Sequence, residues 1–244
     1  MTSVGSYDMI GVIGLQTISP LREFSCGRNG FHFDGRDIAM KVKICGIRTP
    51  EAAKAAEAGG ADFIGFIFFS GSSRYIEPEQ AKKIAGEITG PKKVGVFVDE
   101  SPGRVNAIAR LVGLDYVQLH GHEDISYAAA MERPIIKAWR FGDGFSAGLA
   151  NAYPSEIVLL DSFAKGQMGG TGQTFAWREA ADEAGQITKP LLIAGGISIR
   201  NVKEAAEIFR PFGVDVSGSL EEDGQKSPRR IGEFLCYVKN LFRI

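Results

Sequence analysis

Residues 41–68 read Lys41-Val-Lys-Ile-Cys-Gly-Ile-Arg-Thr-Pro50-Glu-Ala-Ala-Lys-Ala-Ala-Glu-Ala-Gly-Gly60-Ala-Asp-Phe-Ile-Gly-Phe-Ile-Phe68. Two short runs rich in Ile, Val and Phe flank an alanine-rich stretch. Thr49 stands where an N-cap belongs, Pro50 takes the first helical position, and Gly59 follows the last helical residue. The order is strand, helix, strand. Continuous apolar runs of this kind suit a parallel sheet covered by helices on its faces.

The same unit recurs down the chain. Strands are expected at Val42–Cys45, Phe63–Phe68, Lys93–Val98, Tyr116–Leu119, Ile135–Trp139, Ile157–Asp161, Leu191–Ala194 and Val214–Val216. Helices are expected at Pro50–Ala58, Pro78–Glu87, Pro102–Leu111, Glu123–Met131, Phe175–Glu183, Asn201–Phe209 and Pro228–Leu241. The glycine-rich segment Phe141–Tyr153 gives the weakest helical pattern. Eight strand–helix units in about 205 residues with right-handed crossovers close most simply into a single (β/α)8 TIM barrel. An open doubly wound sheet usually carries Gly-x-Gly-x-x-Gly after its first strand. Here that strand ends in Cys45-Gly-Ile-Arg48, which is not that motif.

Composition sets outer limits. The 244 residues are 44% hydrophobic and 23% charged, within the globular range, so disorder and collagen-like structure are excluded. A net charge of −1 gives no footing for nucleic acid or an anionic membrane surface as partner. No apolar run approaches the length of a membrane span. Three scattered cysteines, without zinc-like spacing, read as a reducing, cytoplasmic setting rather than a disulfide framework. Neither a metal cluster nor a nucleotide-binding Gly-x-x-x-x-Gly-Lys loop is present in the pattern, so no cofactor is expected.

Residues 1–39 differ from the rest, with little periodicity after one short apolar run. They match a secretory signal poorly. They are expected to form a poorly ordered extension, or to precede a true start at Met40, with residues 40–244 forming the barrel. The extension carries three basic and four acidic residues, which leaves a neutral body with 25 of each.

A TIM barrel keeps its chemistry at the C-terminal ends of its strands. The first strand ends in Cys45 and the sixth in Asp161, both aligned by strand alternation to face the mouth. A cysteine base needs neighbours that favour thiolate, and a carboxylate across from it suits a general acid. A strand cysteine is more commonly plain core, but the strand-end position of Cys45 weakens that reading. Arg74, after the second strand, is suited to a substrate carboxylate, although spacing alone equally fits an ordinary loop arginine. Gln118, His120 and Asp215 stand at strand ends as residues lining the substrate. His120 reads more simply as a hydrogen-bonded rim histidine. The last three loops start with Gly169-Gly-Thr-Gly172, Gly195-Gly196 and Ser217-Gly-Ser219. Gly170, Gly172, Gly195, Gly196, Ser217, Gly218 and Ser219 are therefore candidates for backbone binding of a phosphate. The partner expected is a small phosphosugar, with the chain a monomer or homodimer.

The ordered set of segments Lys43-Ile-Cys-Gly-Ile47, Gly65-Phe-Ile-Phe68 with Ser73-Arg-Tyr75, Val94-Gly-Val-Phe-Val98, Val117-Gln-Leu-His-Gly121, Leu159-Leu-Asp-Ser162, Gly169-Gly-Thr-Gly172 with Trp177, Leu192-Ile-Ala-Gly-Gly196 and Gly213-Val-Asp-Val-Ser217 resembles the phosphoribosylanthranilate isomerase family. The resemblance implies a TIM barrel that carries out an Amadori rearrangement in tryptophan biosynthesis. It implies Cys45 as general base, Asp161 as general acid and Arg74 on the anthranilate carboxylate. Two departures stand out. Ser217-Gly218-Ser219 replaces the family's Ser-Ser-Gly, and Ser227 replaces an aspartate after Lys226. Two alternatives are an isomerase of the histidine pathway, built from half-barrels with aspartates in both proton roles, and a non-catalytic barrel that binds a phosphate ligand.

Overall fold

The computed structural model describes residues 40–142, 144–161 and 173–242. The expected N-terminal extension and two candidate phosphate residues, Gly170 and Gly172, lie outside the described residues. The alternation of strands and helices holds throughout. Strands β1 (Lys41–Cys45), β2 (Phe63–Ile67), β3 (Lys92–Phe97), β4 (Tyr116–Leu119), β5 (Ile135–Arg140), β6 (Ile157–Asp161), β7 (Leu191–Ala194) and β8 (Gly213–Val216) form a closed parallel barrel in sequence order. β8 closes onto β1 with Lys43 opposite Asp215.

Helices α1 (Pro50–Ala58), α2 (Pro78–Gly86), α3 (Pro102–Val112), α4 (Ile125–Ala128), α5 (Ala147–Ala152), α6 (Gln173–Ala184), α7 (Val202–Phe209) and α8 (Pro228–Phe242) follow their strands in turn. Thr49 caps α1 as its sequence predicts, with Oγ1 accepting from the Ala52 amide at 3.2 Å. α4 is a single turn where residues 123–131 were expected to be helical. Asp124 caps it, and Glu123 is drawn inward instead of starting the helix. The Glu123 carboxylate accepts from the Asp99 and Gly121 amides and from Lys137 Nζ at 2.7 Å. α5 begins late because Gly142 and Gly144 take φ of 84° and 70°, outside the helical basin.

Two layers of apolar packing result. Outside the strands, residues such as Ile44, Ile64, Phe66, Phe97, Leu160 and Phe234 are fully buried against the helices. Inside the barrel, Phe63, Val94, Ile136, Ile157, Leu159 and Leu192 fill the floor. That floor is apolar, and the polar inward-facing groups stand above it. Among the described residues no helix is long and apolar enough to cross a membrane.

One element was absent from the sequence reading. A two-stranded antiparallel ribbon, β9 (Glu221–Glu222) and β10 (Gln225–Lys226), follows β8 after a 3-10 turn at Gly218–Leu220. Asp223 and Gly224 form its bend with φ of 48° and 74°, as an Asp-Gly two-residue hairpin requires. The run Glu-Glu-Asp-Gly-Gln-Lys is too polar to read as strand, but its Asp-Gly pair carried the signal.

Candidate active site

The barrel register decides which side chains face inward. Cys45 pairs with Gly65, Lys43 with Asp215, Gln118 with Ile136, and Asp161 with Ala194. Because successive residues alternate in direction, Lys43 and Cys45 share the inner face of β1, and Leu159 and Asp161 share that of β6. The polar inward residues gather above the apolar floor. Cys45 feels the charge of Asp215, and His120 feels those of Asp161 and Asp215. The expected proton-handling pair and the three lining candidates thus surround one mouth.

Cys45 is a free thiol, 5% exposed, on the last residue of β1. Directly below it lies Lys43, which is fully buried and pairs with Asp215 Oδ1 at 2.9 Å. Lys43 Nζ and the Cys45 sulfur lie against the same point of β2, and Lys43 feels the Cys45 charge. Burial pushes the Cys45 thiol above its ordinary range. Lys43 and Lys226 oppose that push and Asp215 adds to it. Lys43 itself is held above the usual lysine value: burial acts against its charge, but Asp215 and Cys45 outweigh it. Gly65 on β2 makes room for the pair, because a Cβ there would sit 2.9 Å from the Cys45 sulfur and 3.2 Å from Lys43 Nζ.

Arg74 reaches the same rim. The loop after β2 folds back so that Ser72 Oγ accepts from the Arg74 amide at 3.1 Å. The guanidinium does not stand alone. Its Nε and Nη2 donate to Glu221 Oε1 and Oε2 at 2.5 and 3.0 Å. Lys226, opposite Glu221 on the ribbon, donates to Glu221 Oε1 at 2.6 Å. Burial would raise the Glu221 carboxyl, but hydrogen bonds from Arg74 and Lys226 hold it down at about 2. Burial lowers Lys226 against the pull of Glu221 and Cys45. The bidentate pairing occupies the Nε–Nη2 edge of the Arg74 fork. Arg48 ties this rim together, donating to the Ser73 carbonyl at 3.0 Å and the Gly224 carbonyl at 2.5 Å.

The loops after β7 and β8 meet beside it. Gly195 and Gly196 take φ of 91° and 70°, and the space beyond Gly196 is open. Ser219 Oγ donates to the Ile197 carbonyl at 2.7 Å and so joins the two loops. Ser217 Oγ donates to the Cys45 carbonyl at 3.0 Å, which links the phosphate candidates to the end of β1. Gly218 does not take a positive φ. A Cβ at Gly218 would instead approach Arg74 Nη2 at 3.3 Å, so this glycine gives clearance to the arginine. On β4, Gln118 Nε2 and His120 Nδ1 are 3.0 Å apart. Burial lowers His120, favouring its neutral form, and the nearby Asp161 and Asp215 work the other way. Gln118 Oε1 is buried without a hydrogen-bond partner among the described residues.

The comparisons bear on this geometry. A family model described as N-(5'-phosphoribosyl)anthranilate (PRA) isomerase matches residues 42–236. The chain belongs to that family. The N-(5'-phosphoribosyl)anthranilate isomerase of Desulforamulus reducens is 41% identical over 203 residues, covering 83% of this chain and 96% of the relative. That of Geobacter sulfurreducens is 43% identical over 202 residues, covering 82% and 98%. Among solved structures, the Thermotoga maritima phosphoribosyl anthranilate isomerase superposes with a TM-score of 0.72 at 36% identity, covering 82% of this chain and 98% of that one. A family structure in complex with reduced 1-(o-carboxyphenylamino)-1-deoxyribulose 5-phosphate superposes with a TM-score of 0.69 at 33% identity, covering 82% and 97%.

The family departures have local explanations. Ser227 precedes Pro228 and serves α8 as its cap, with the Arg230 amide 3.4 Å from Ser227 Oγ and the Ile231 amide 3.0 Å from its carbonyl. Serine and aspartate serve that position about equally. The retained Lys226 is where the ribbon needs it, against Glu221. Lys43, Gly65 and Glu221 are site residues that the sequence reading passed over. Only Lys43 carried a usable signal there, as a charged residue two positions before Cys45 on the same face.

Proposed function

We propose that this protein catalyses the Amadori rearrangement of N-(5-phosphoribosyl)anthranilate to 1-(2-carboxyphenylamino)-1-deoxyribulose 5-phosphate, as a phosphoribosylanthranilate isomerase of tryptophan biosynthesis. The observation that carries the reading is the inward pairing of two strand-end groups, Cys45 on β1 and Asp161 on β6, over one closed barrel mouth. Family membership over almost the whole length of its relatives supports it.

The chemistry follows from those groups. Asp161 enters protonated and gives its proton to the furanose ring oxygen. The C1–O bond breaks, and the anthranilate nitrogen takes up positive charge as an iminium. That charge acidifies the C2 proton, which the Cys45 thiolate removes. The electron pair of the C2–H bond forms C1=C2 and neutralises the nitrogen. The enolamine gains a proton at C1 and loses one from the C2 hydroxyl, giving the ketose and restoring both side chains. The substrate's own nitrogen is the electron sink, so the step calls on no further group. The iminium places a new positive charge near the sulfur, offsetting the burial that disfavours thiolate. Arg74 takes the anthranilate carboxylate. Gly195, Gly196, Ser217, Gly218 and Ser219, with Gly170 and Gly172 from the preceding loop, take the phosphate. This grip orients the sugar from a point remote from the reacting carbons.

The test is direct. Purified protein is expected to abolish the fluorescence of phosphoribosylanthranilate and to rescue a tryptophan auxotroph lacking this step. Folded protein that does neither refutes the reading.

A further inference from the structure

Beneath Cys45 the barrel holds a charge that its floor does not need. The surrounding interior is apolar, and a buried ion pair can usually be exchanged for well-packed hydrophobic residues without loss of stability. Yet Lys43 is 0% exposed, pairs with Asp215 Oδ1 at 2.9 Å, and shares the inner face of β1 with the Cys45 thiol. Register sets Lys43 opposite Asp215, and bare backbone at Gly65 lets the sulfur and the ammonium lie against one patch of β2.

We infer that Lys43 is a positioning residue for the proposed base: clamped by Asp215, its ammonium donates to the Cys45 sulfur and fixes the thiolate in line with the substrate. The inference rests on the reading of Cys45 as base and goes further by assigning what makes a buried thiolate tenable. Asp215 then acts as a moderator and not as a substrate ligand. Its ion pair holds the Lys43 ammonium in place, and its charge offsets part of the attraction that Lys43 exerts on sulfur. Other charges face Cys45 from the remaining elements. Lys226 from β10 and Arg74 from the loop after β2 favour thiolate, and Glu221 from β9 neutralises part of both. Asp161 from β6, and His120 from β4 in its neutral form, stand farther around the mouth. Lys43 is the cation on the inner face of β1 itself, fully buried two residues before the sulfur, whereas Lys226, also buried, reaches in from the ribbon.

The experiment measures iodoacetamide alkylation of the Cys45 peptide by mass spectrometry against pH, in the full chain. In Lys43→Met the titration midpoint is expected to rise by a pH unit or more, slowing alkylation at neutral pH about ten-fold. In Asp215→Asn the midpoint is expected to fall, because the moderating charge is gone. Lys43→Arg is expected to stay near the parent. General loosening of the barrel would move the two midpoints in the same direction, so opposite displacements are the signature. Steady-state kinetics on Lys43→Met should show kcat falling at least ten-fold with KM little changed. If Lys43→Met does not fold, the midpoint in Lys43→Gln decides the matter in its place. Midpoints unmoved, or moved together, overturn the inference even if Cys45→Ser is inactive. Near-normal turnover in Cys45→Ser overturns the base assignment itself.

Discussion

Gly65→Ala is the sharpest probe of the site's geometry, because it adds one methyl group at a position the structure leaves no room for. The added Cβ would lie 2.9 Å from Cys45 Sγ, 3.2 Å from Cys45 Cα and 3.2 Å from Lys43 Nζ, where ordinary contact begins near 3.4 Å. The backbone at residue 65 cannot easily retreat. Its carbonyl accepts from both the Gly46 and Ile47 amides at 2.9 Å, and its Cα is in register with Cys45. The sulfur therefore has to yield by about half an ångström, and Lys43 by less. Overpacking of this kind costs about 1–3 kcal/mol of stability. Displacing a reacting atom by a fraction of an ångström to an ångström lowers kcat on the order of 10- to 100-fold. The loops after β7 and β8, proposed to hold the phosphate, are not touched, so KM should change far less than kcat. The assay is steady-state decay of substrate fluorescence, with thermal unfolding measured on the same preparation. Wild-type kcat at wild-type stability would show that Cys45 does not act from the position described. A loss confined to KM would show that the methyl group acts on binding instead.

Further predictions concern the supporting structure. Lys137 and Glu123 form a pair only 3% and 1% exposed, and Lys137 also donates to the Gly121 carbonyl at 2.7 Å. Lys137→Met leaves Glu123 buried without its cation and should destabilise the fold by about 3–5 kcal/mol in urea unfolding. Glu221→Gln should raise KM several-fold by freeing Arg74 from its bidentate partner, while kcat changes less. Stability should also depend on Glu221 in acid. Its folded-state value of about 2 lies below the ordinary 4.5, so its contribution is complete above that ordinary value and fades as pH falls towards 2. The ceiling is about 3 kcal/mol, reduced by solvent screening because Arg74 is about a third exposed. Acid titration of Glu221→Gln should lack that part of the loss. Gly232→Ala, in the interior of α8 where an added Cβ meets nothing, should stabilise the fold by about 0.5–1 kcal/mol and leave kinetics unchanged.

The parts of this protein that were legible in its sequence are those governed by local rules. Thr49 and Pro50 marked a helix start because capping is local, and the Ile/Val/Phe runs marked strands because both of their faces are buried. Strand-end position made Cys45 and Asp161 candidates, since the (β/α)8 topology puts all such ends at one mouth. What escaped depends on partners far apart in sequence. Glu221 binds Arg74 across 147 residues, and Lys43 meets Asp215 across 172. No periodicity announces either pair. The expected helix Glu123–Met131 is longer than α4 because local pattern cannot show that Glu123 turns inward to Lys137, a partner only the fold supplies. Gly65 looked like an ordinary strand residue, and only the sulfur packed against it shows why a side chain is excluded there.

The decisive measurement is kcat of folded Cys45→Ser with phosphoribosylanthranilate, beside the parent protein. Removing the base at the end of β1 should lower kcat by about 10²- to 10⁴-fold with KM nearly preserved. Turnover within a few-fold of the parent would contradict the assignment of Cys45 as the group that takes the C2 proton.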